Sequence, residues 1–574
     1  MDVDLLITNG RVVDGSGRAG REGAVAIKDG KIVGVGDISG TADRTIDAGG
    51  HIVAPGFIDI HTHYDLQLFW DPLLSVSPQH GVTSVVSGNC GFGIAPARPE
   101  HQDMLLRTLE QVEGMPYATT RAGMGEPWPF VTFPEYLDAV EHRGTAINIG
   151  FLFGHTAARF WAMGEAALDR TATADELAVM EDLVRGAMEA GALGFSSSNH
   201  RAHVGYLGRP VPSRQANLDE YIALVAAMQG TGRGVFATNH GPTMNDRGMG
   251  AVMEATGCRI SWSGILADEG PEEGGKNAHH AFLTWLDDLC GPGHDLIAQV
   301  SPRPFTIQAS LARPFMFGHD ACEVLHIQVL DEIIDPVSAM TDREMIEHYR
   351  RPQVARRFRE LTSSPGWMGQ WERMTVAEHP GRPELTGVPV LELAETQGVH
   401  PADIMLELSL EGGLATKFAV SYLNVDEQEV SRLLLDPRTR LGLSDAGAHV
   451  GDICDACFPT YLLQHWVREK GEITLEHAVH MLTARSAEVY RIVDRGLLEP
   501  GLAADVVVFD AETVGCLPTR RVTDLPAGGS RLVVDAVGVD HVIVNGTSIL
   551  EAGRPLVESG GPLPGHLLRS RPSG

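Results

Sequence analysis

His61 and His63 flank a threonine at the end of the apolar run APGFIDIH. Positions two apart on an extended strand share a side, so both imidazoles would face one way. Two imidazoles on one face are a ready pair of metal ligands, and a polar pair in a loop is the plain alternative. Other apolar runs end in residues of similar chemistry, namely Cys90, His155, His240 and Asp445. A thiolate binds zinc strongly and can bridge two ions. A carboxylate can bind metal and also take the proton from a metal-bound water. Taken singly, Cys90 reads as a small buried hydrophobe, His155 as a satisfied core histidine and Asp445 as a helix N-cap. Five such coincidences at one end of a single fold are hard to explain structurally, and together they point to a metal site.

The elements that must position them are eight apolar runs, at 54–61, 83–89, 146–154, 192–198, 234–239, 258–264, 295–301 and 440–447. Periodic helical stretches separate several of them, for example ADELAVMEDLVRGAMEAG and LDEYIALVAAMQGTG, with apolar spacings of three and four before a glycine. Eight strand–helix alternations predict an α/β fold, a (β/α)8 TIM-like barrel, rather than an open doubly wound sheet. Function in such a barrel sits at the C-terminal ends of the strands, where the six candidate residues fall. An insertion over about 302–439 carries helical pieces and is a candidate lid or pocket wall. The two chain ends read differently. Residues 1–54 and 495–574 are short strands broken at Asp29-Gly30 and Asn545-Gly546. They are expected to pair into one small β-sandwich beside a 55–494 barrel. The Pro/Gly-rich tail from Gly560 reads as either poorly ordered or draped over a neighbour.

Composition narrows the function. The chain of 574 residues carries a net charge of −30, spread along its length. A strongly negative body repels nucleic acid and anionic membrane surfaces, so neither is expected as a partner. The N-terminus is acidic where a signal peptide is basic, and no run reaches about 18 apolar residues. Seven cysteines, an odd and sparse set, do not make a disulfide scaffold, so a cytoplasmic protein with reduced thiols is expected. Cys454 and Cys457 form one CxxC without a second pair, and are read as incidental loop thiols.

The segments GFIDIHTHYD, GVTSVVSGNCGFGIAP, GHTAAR, LSDAGAH and RGLLEPGLAADVVVFD together resemble the amidohydrolase superfamily. Within it they look most like the D-aminoacylase branch, the N-acyl-D-amino-acid deacylases. The resemblance covers nearly the whole chain, and GNCG is its most branch-specific piece. It implies that Cys90 is a metal-bridging thiolate in place of the carboxylated lysine used elsewhere in the superfamily. It implies that His61, His63 and Asp445 serve the first metal position and His240 the second, with Asp445 also the catalytic base and then acid. Zinc is the implied cofactor, one or two ions per chain, other divalent metals being admitted.

Two departures bear on this. The branch has a strand-six histidine followed two residues later by a substrate-binding lysine. Here Trp262 stands in that place and no lysine follows, with Asp268 and Glu269 the nearest substitutes. At strand four, an apolar tyrosine-containing segment is replaced by SSSNHRAH. There His200 and Arg201 could bind a substrate carboxylate or simply be solvated, and Trp262 joins them as a substrate-side residue. One metal held by His61, His63, His240 and Asp445 is therefore weighed beside a binuclear site.

The expected activity is hydrolysis of a non-peptide amide C–N bond of a small molecule, with Asp445 as base and His155 as an oxyanion partner. A mononuclear cyclic-amide hydrolase or deaminase is the nearest rival, and a non-catalytic barrel the more distant one. Beyond the small-molecule substrate, the only partner left open is a further copy of the chain.

Overall fold

The structure, a computed structural model, describes residues 2–38, 40–268, 276–290, 295–312, 340–363 and 371–572. At its centre are eight strands: β1 Phe57–Asp59, β2 Val82–Ser87, β3 Asn148–Gly154, β4 Gly194–Ser197, β5 Val235–Thr238, β6 Arg259–Ile265, β7 Asp295–Val300 and β8 Thr439–Leu441. Each pairs in parallel with its neighbour in the chain. Strands β2 to β7 agree with the expected runs to within two residues at each end. Strand β8 stops at Leu441, well short of the expected 447, and the chain beyond it turns through left-handed residues.

Burial on both faces explains the composition of these strands. Every residue of β3, NIGFLFG, is buried, as a parallel strand between a packed barrel interior and a helical layer requires. The helix Ala174–Ala190 shows how the outer layer is punctuated. Thr173 and Glu176 form a reciprocal capping box at its start, and Gly191 ends it with φ 112°.

Strands β8 and β1 share no regular ladder. They are joined by an isolated parallel bridge between Thr62 and Ala446, and the His63 N–H donates to the Ala446 carbonyl at 2.7 Å. Below this, the Ser444 hydroxyl donates to the Asp59 carboxylate at 2.6 Å, while Asp59 also accepts the His61 N–H at 3.1 Å. The seam thus closes through the residues that flank the candidate ligands.

The ends of the chain meet as expected. A nine-stranded sheet takes five strands from residues 2–55 and four from residues 506–555. Ile52–Pro55 runs antiparallel to Val506–Phe509, and the sheet curls over Leu5, Ile7, Val25, Val53, Val506 and Ile543. This is the small β-sandwich beside the barrel. The tail runs along the barrel, with Leu567–Leu568 pairing in parallel with Ile149–Gly150 of β3. It fills the strand edge that β4, which begins to pair only at Leu152, leaves open.

The described parts of the insertion form a three-stranded antiparallel sheet flanked by helices, with a core of its own around Ile307, Val376, Met405 and Phe418. The expected helical stretch there is two helices, Asp342–Tyr349 and Pro352–Thr362, parted just before Pro352.

Barrel, sandwich and tail are tied at one buried point. Asp505 accepts from Asn148 Nδ2 at 2.9 Å, from the Asn545 N–H at 2.8 Å and from the Arg495 guanidinium. Asn148 Oδ1 in turn accepts from Asn545 Nδ2 at 2.7 Å and from the His566 N–H at 3.0 Å. Removing one partner of a buried ion pair strands the other charge. Asp505→Ala is therefore expected to lower unfolding free energy by about 3–5 kcal/mol in urea denaturation. A loss under about 1 kcal/mol would show that this point does not hold the layers together.

Candidate metal centre

The loop after β2 carries the thiol. Gly88, Cys90 and Gly91 all have positive φ, at 81°, 54° and 76°. A Cβ on Gly88 would lie 2.5 Å from the Leu152 carbonyl, and one on Gly91 would lie 2.9 Å from Ser197 Cα. Only glycine lets this turn sit so close to β3 and β4. Asn89 locks it from within, its amide donating to the Val86 carbonyl at 3.0 Å with the Ile60 and Thr62 carbonyls at 3.4 Å. The GNCG motif is thus a backbone device that aims Cys90 at the end of β1.

There the donors converge. His61 Nε2 lies 3.1 Å from Asp445 Oδ1 and 3.5 Å from Cys90 Sγ, and His63 Nε2 lies 3.6 Å from the same Asp445 oxygen. His61 and His63 are almost wholly buried, while the Asp445 side chain remains 28% exposed. His61 Nδ1 donates to Gln299 Oε1 at 2.8 Å, and the Gln299 amide donates to Ser261 Oγ at 3.0 Å. That pairing leaves Nε2 as the nitrogen presented to the cluster. On the far side Glu113 lies 3.6 Å from His63 Nδ1 and 3.7 Å from His449 Nε2.

Burial pushes the Cys90 thiol up and the His63 imidazole down. Burial alone would raise Asp445, but hydrogen bonds from His61 and His63 hold it well below the carboxylate range. Burial alone would lower His61, but Cys90 and Asp445 raise it well above an ordinary imidazole. One ring nitrogen between a carboxylate and a thiol shares a proton among groups that a divalent cation satisfies once that proton leaves. Two imidazoles, a thiol and a carboxylate make four donors of types zinc accepts, so the residues fit such an ion.

Three expected site residues point elsewhere. His155 opens a helix, where its Nδ1 meets Ser197 Oγ at 2.8 Å and its Nε2 meets Glu220 at 2.9 Å. With both nitrogens occupied and the ring fully buried, it has nothing to offer an oxyanion. His240 packs its ring on Phe282 and Trp285, at centroid distances of 5.4 and 5.1 Å. Among the described residues, the donors at this end lying within 4.8 Å of one another are His61, His63 and Cys90, without His240. Trp262 is 1% exposed and packs on the same Phe282 at 5.0 Å, so it faces the helical layer and not substrate. The alternation of β6 gives the inward side to Ser261, the partner of Gln299. Asp268 is engaged in its own loop, donating its N–H to His279 and accepting from Asn277, and Glu269 lies outside the described residues.

His200 and Arg201 lie on the loop after β4, next to His240, whose imidazole burial and the Arg201 charge depress to about 4. A further residue of this loop that interacts with the cluster is His203, which the sequence pattern did not single out. Its ring lies tilted against Phe92, two residues past Cys90, at 5.3 Å between centroids, and it feels the charges of Asp445, His63 and His449. Its Nδ1 pairs with Ser198 Oγ at 2.6 Å. The spacing His200-x-x-His203 was the available signal. Gln299 could have been found as a polar residue in an otherwise apolar strand. Glu113, alone at a helix end, gave none.

The sequence profile described as the Amidohydrolase family matches residues 44–285 and 374–550. The chain belongs to that family. An N-acyl-D-glutamate deacylase of Alcaligenes xylosoxydans xylosoxydans is 31% identical over 99% of this chain and 96% of that protein. A D-aminoacylase of the same organism is 28% identical over 95% of this chain and 94% of its own length. A crystal structure of an N-acyl-D-glutamate deacylase from Bordetella bronchiseptica, complexed with zinc and a phosphonate mimic of the tetrahedral intermediate, superposes with a TM-score of 0.66 at 26% identity. That match covers 99% of this chain and 100% of the other. The protein is thus a metal-dependent hydrolase of non-peptide carbon–nitrogen bonds.

If Gln299 sets the presented nitrogen of His61, then Gln299→Leu should weaken metal binding about 10–100-fold with the fold intact. Competition against a calibrated chelator, with circular dichroism alongside, measures this. Unchanged affinity would leave Gln299 a packing residue only.

Proposed function

We propose that this protein hydrolyses N-acyl-amino acids, N-acyl-D-amino acids first among them, with a single divalent ion, zinc by preference. The observation that carries the single ion is the turning of both His240 and Trp262 toward Phe282, which leaves a second position short of ligands. His61, His63, Cys90 and Asp445 would hold the ion. When bound, it supplies Lewis acidity at the scissile carbonyl and makes water more acidic, toward a pKa of about 7.

The residues of the chain do the rest. Asp445 is anionic and open to the site mouth, so it takes a proton from the attacking water and hands it to the departing nitrogen. His203 overhangs the cluster, and burial holds its imidazole neutral. It is placed to donate or accept one hydrogen bond at the acyl group without adding charge beside a cation. Arg201 is exposed and meets no carboxylate among the described residues, so its guanidinium is free to take a substrate carboxylate at the rim. The deacylase relatives that span nearly the whole chain support this substrate class over cyclic amides and amines.

Elemental analysis of protein prepared without chelator is expected to find about one ion per chain, retained in His240→Ala. Two ions, falling to one in that variant, would overturn the mononuclear reading. Asp445→Asn is expected to lose about 10²–10⁴-fold in kcat while remaining folded. In a panel of N-acyl-D- and N-acyl-L-amino acids, Arg201→Ala should raise KM by tenfold or more with little change in kcat. Metal-loaded protein that cleaves no member of the panel would refute the substrate class.

A further inference from the structure

The CxxC at Cys454 and Cys457 is not a pair by itself. A third thiol, Cys516, reaches it from the strand Gly515–Cys516. Cys516 Sγ lies 3.1 Å from Thr460 Oγ1 and 3.5 Å from the Cys457 carbonyl, which places the two thiols side by side. The Cys457 thiol otherwise turns to the carbonyl of Cys454, at 3.5 Å. Arg303, just beyond β7, sets one guanidinium nitrogen 2.5 Å from Cys457 Sγ, 2.7 Å from the Cys454 carbonyl and 2.7 Å from Asp455 Oδ1. A cation inside the group opposes a metal ion there but favours thiolate.

From this juxtaposition we infer a redox modification site, in which Cys516 and Cys457 close to a disulfide when a peroxide reaches Cys516. The two sulfurs differ in the way such a reaction needs. Cys516 is half-buried and reachable, while Cys457 is fully enclosed. Its neighbour Cys457 holds the Cys516 thiol below the ordinary thiol range, whereas burial drives Cys457 up. Cys516 thiolate therefore attacks the peroxide, takes one oxygen as sulfenic acid and releases an alcohol or water. Cys457 sulfur then displaces hydroxide from that sulfenic sulfur, and its own proton leaves with the hydroxide as water. Two thiols are oxidised by two electrons and one peroxide is reduced. The bond joins residues 59 apart in sequence and fastens the C-terminal segment to the loop that follows Asp445.

The test uses the full-length chain, reduced, desalted and treated with hydrogen peroxide near equivalence, then mapped by mass spectrometry without reductant. A linked peptide pair joining Cys457 to Cys516 is expected, with two thiols lost, recovery by dithiothreitol and a thermal midpoint raised by a few degrees. Cys454→Ser should leave the link and Cys516→Ser should abolish it. A link between Cys454 and Cys457, sulfinic acid on Cys516 with Cys457 still free, or no thiol consumed would each overturn the inference. Because the readout is covalent, it stands apart from any assay of hydrolysis.

Discussion

The site depends on how the last barrel strand meets the first. β8 supplies only three residues of ladder, after which Leu443, Asp445, Gly447 and His449 all take positive φ, at 61°, 47°, 96° and 48°. Three of the four are not glycine, and such backbone persists only where surrounding contacts over-determine it. Those contacts are on the β1 side. Ser444 is pegged to Asp59 and to the His61 carbonyl, and Ala446 is held by the His63 N–H. The same two histidines that offer nitrogens from their side chains thus fix, through their main chains, the loop carrying the carboxylate. Barrel closure and ligand convergence are one set of hydrogen bonds.

A second constraint is electrostatic. The body of the protein is strongly acidic, with a net charge of −30, yet the mouth of the barrel is lined by imidazoles. Burial dominates at His63, His200, His203 and His240, and in each it favours the neutral ring. Neutral rings hydrogen-bond a substrate without repelling a nearby cation. Under the proposed reading the exposed Arg201 would provide positive charge where water screens it from a bound cation. The separation of a neutral inner ring from a cationic rim suits a substrate with an amide at one end and a carboxylate at the other.

Much of this was legible in the sequence, and the misses share a cause. Alternation works where a ladder enforces it. His61 and His63 lie just past β1, but the isolated Thr62–Ala446 bridge and the His63 N–H to the Ala446 carbonyl keep the backbone extended, so the two rings stay on one side. His155 stands one residue past β3, where the first turn of a helix already sets its direction. His240 lies two residues past β5, and it is Asn239 that turns to the neighbouring loop, its Oδ1 accepting the Asn199 and His200 N–H groups. Cys90 is placed beside His61 for another reason, since Gly88, Gly91 and the positive φ of Cys90 itself define its turn. The supporting residues Gln299 and Glu113 come from distant segments, so only tertiary packing brings them to His61 and His63.

One packing choice accounts for both departures from the expected ligand set. Trp262 on the outer side of β6 meets Phe282 at 5.0 Å, near edge-to-face, and Phe282 meets Trp285 at 5.2 Å. His240 then closes the group against Phe282 and Trp285. Aromatic pairs at these separations contribute about 0.5–1.5 kcal/mol each beyond the area they bury. A histidine that left this cluster to reach a second ion would forfeit those contacts and expose apolar ring surface. Trp262, Phe282, Trp285 and His240 thus form one aromatic group beside β6, which is what the proposed single-ion reading rests on. An indole on the outside of β6 builds the aromatic surface on which the neighbouring imidazole of His240 rests.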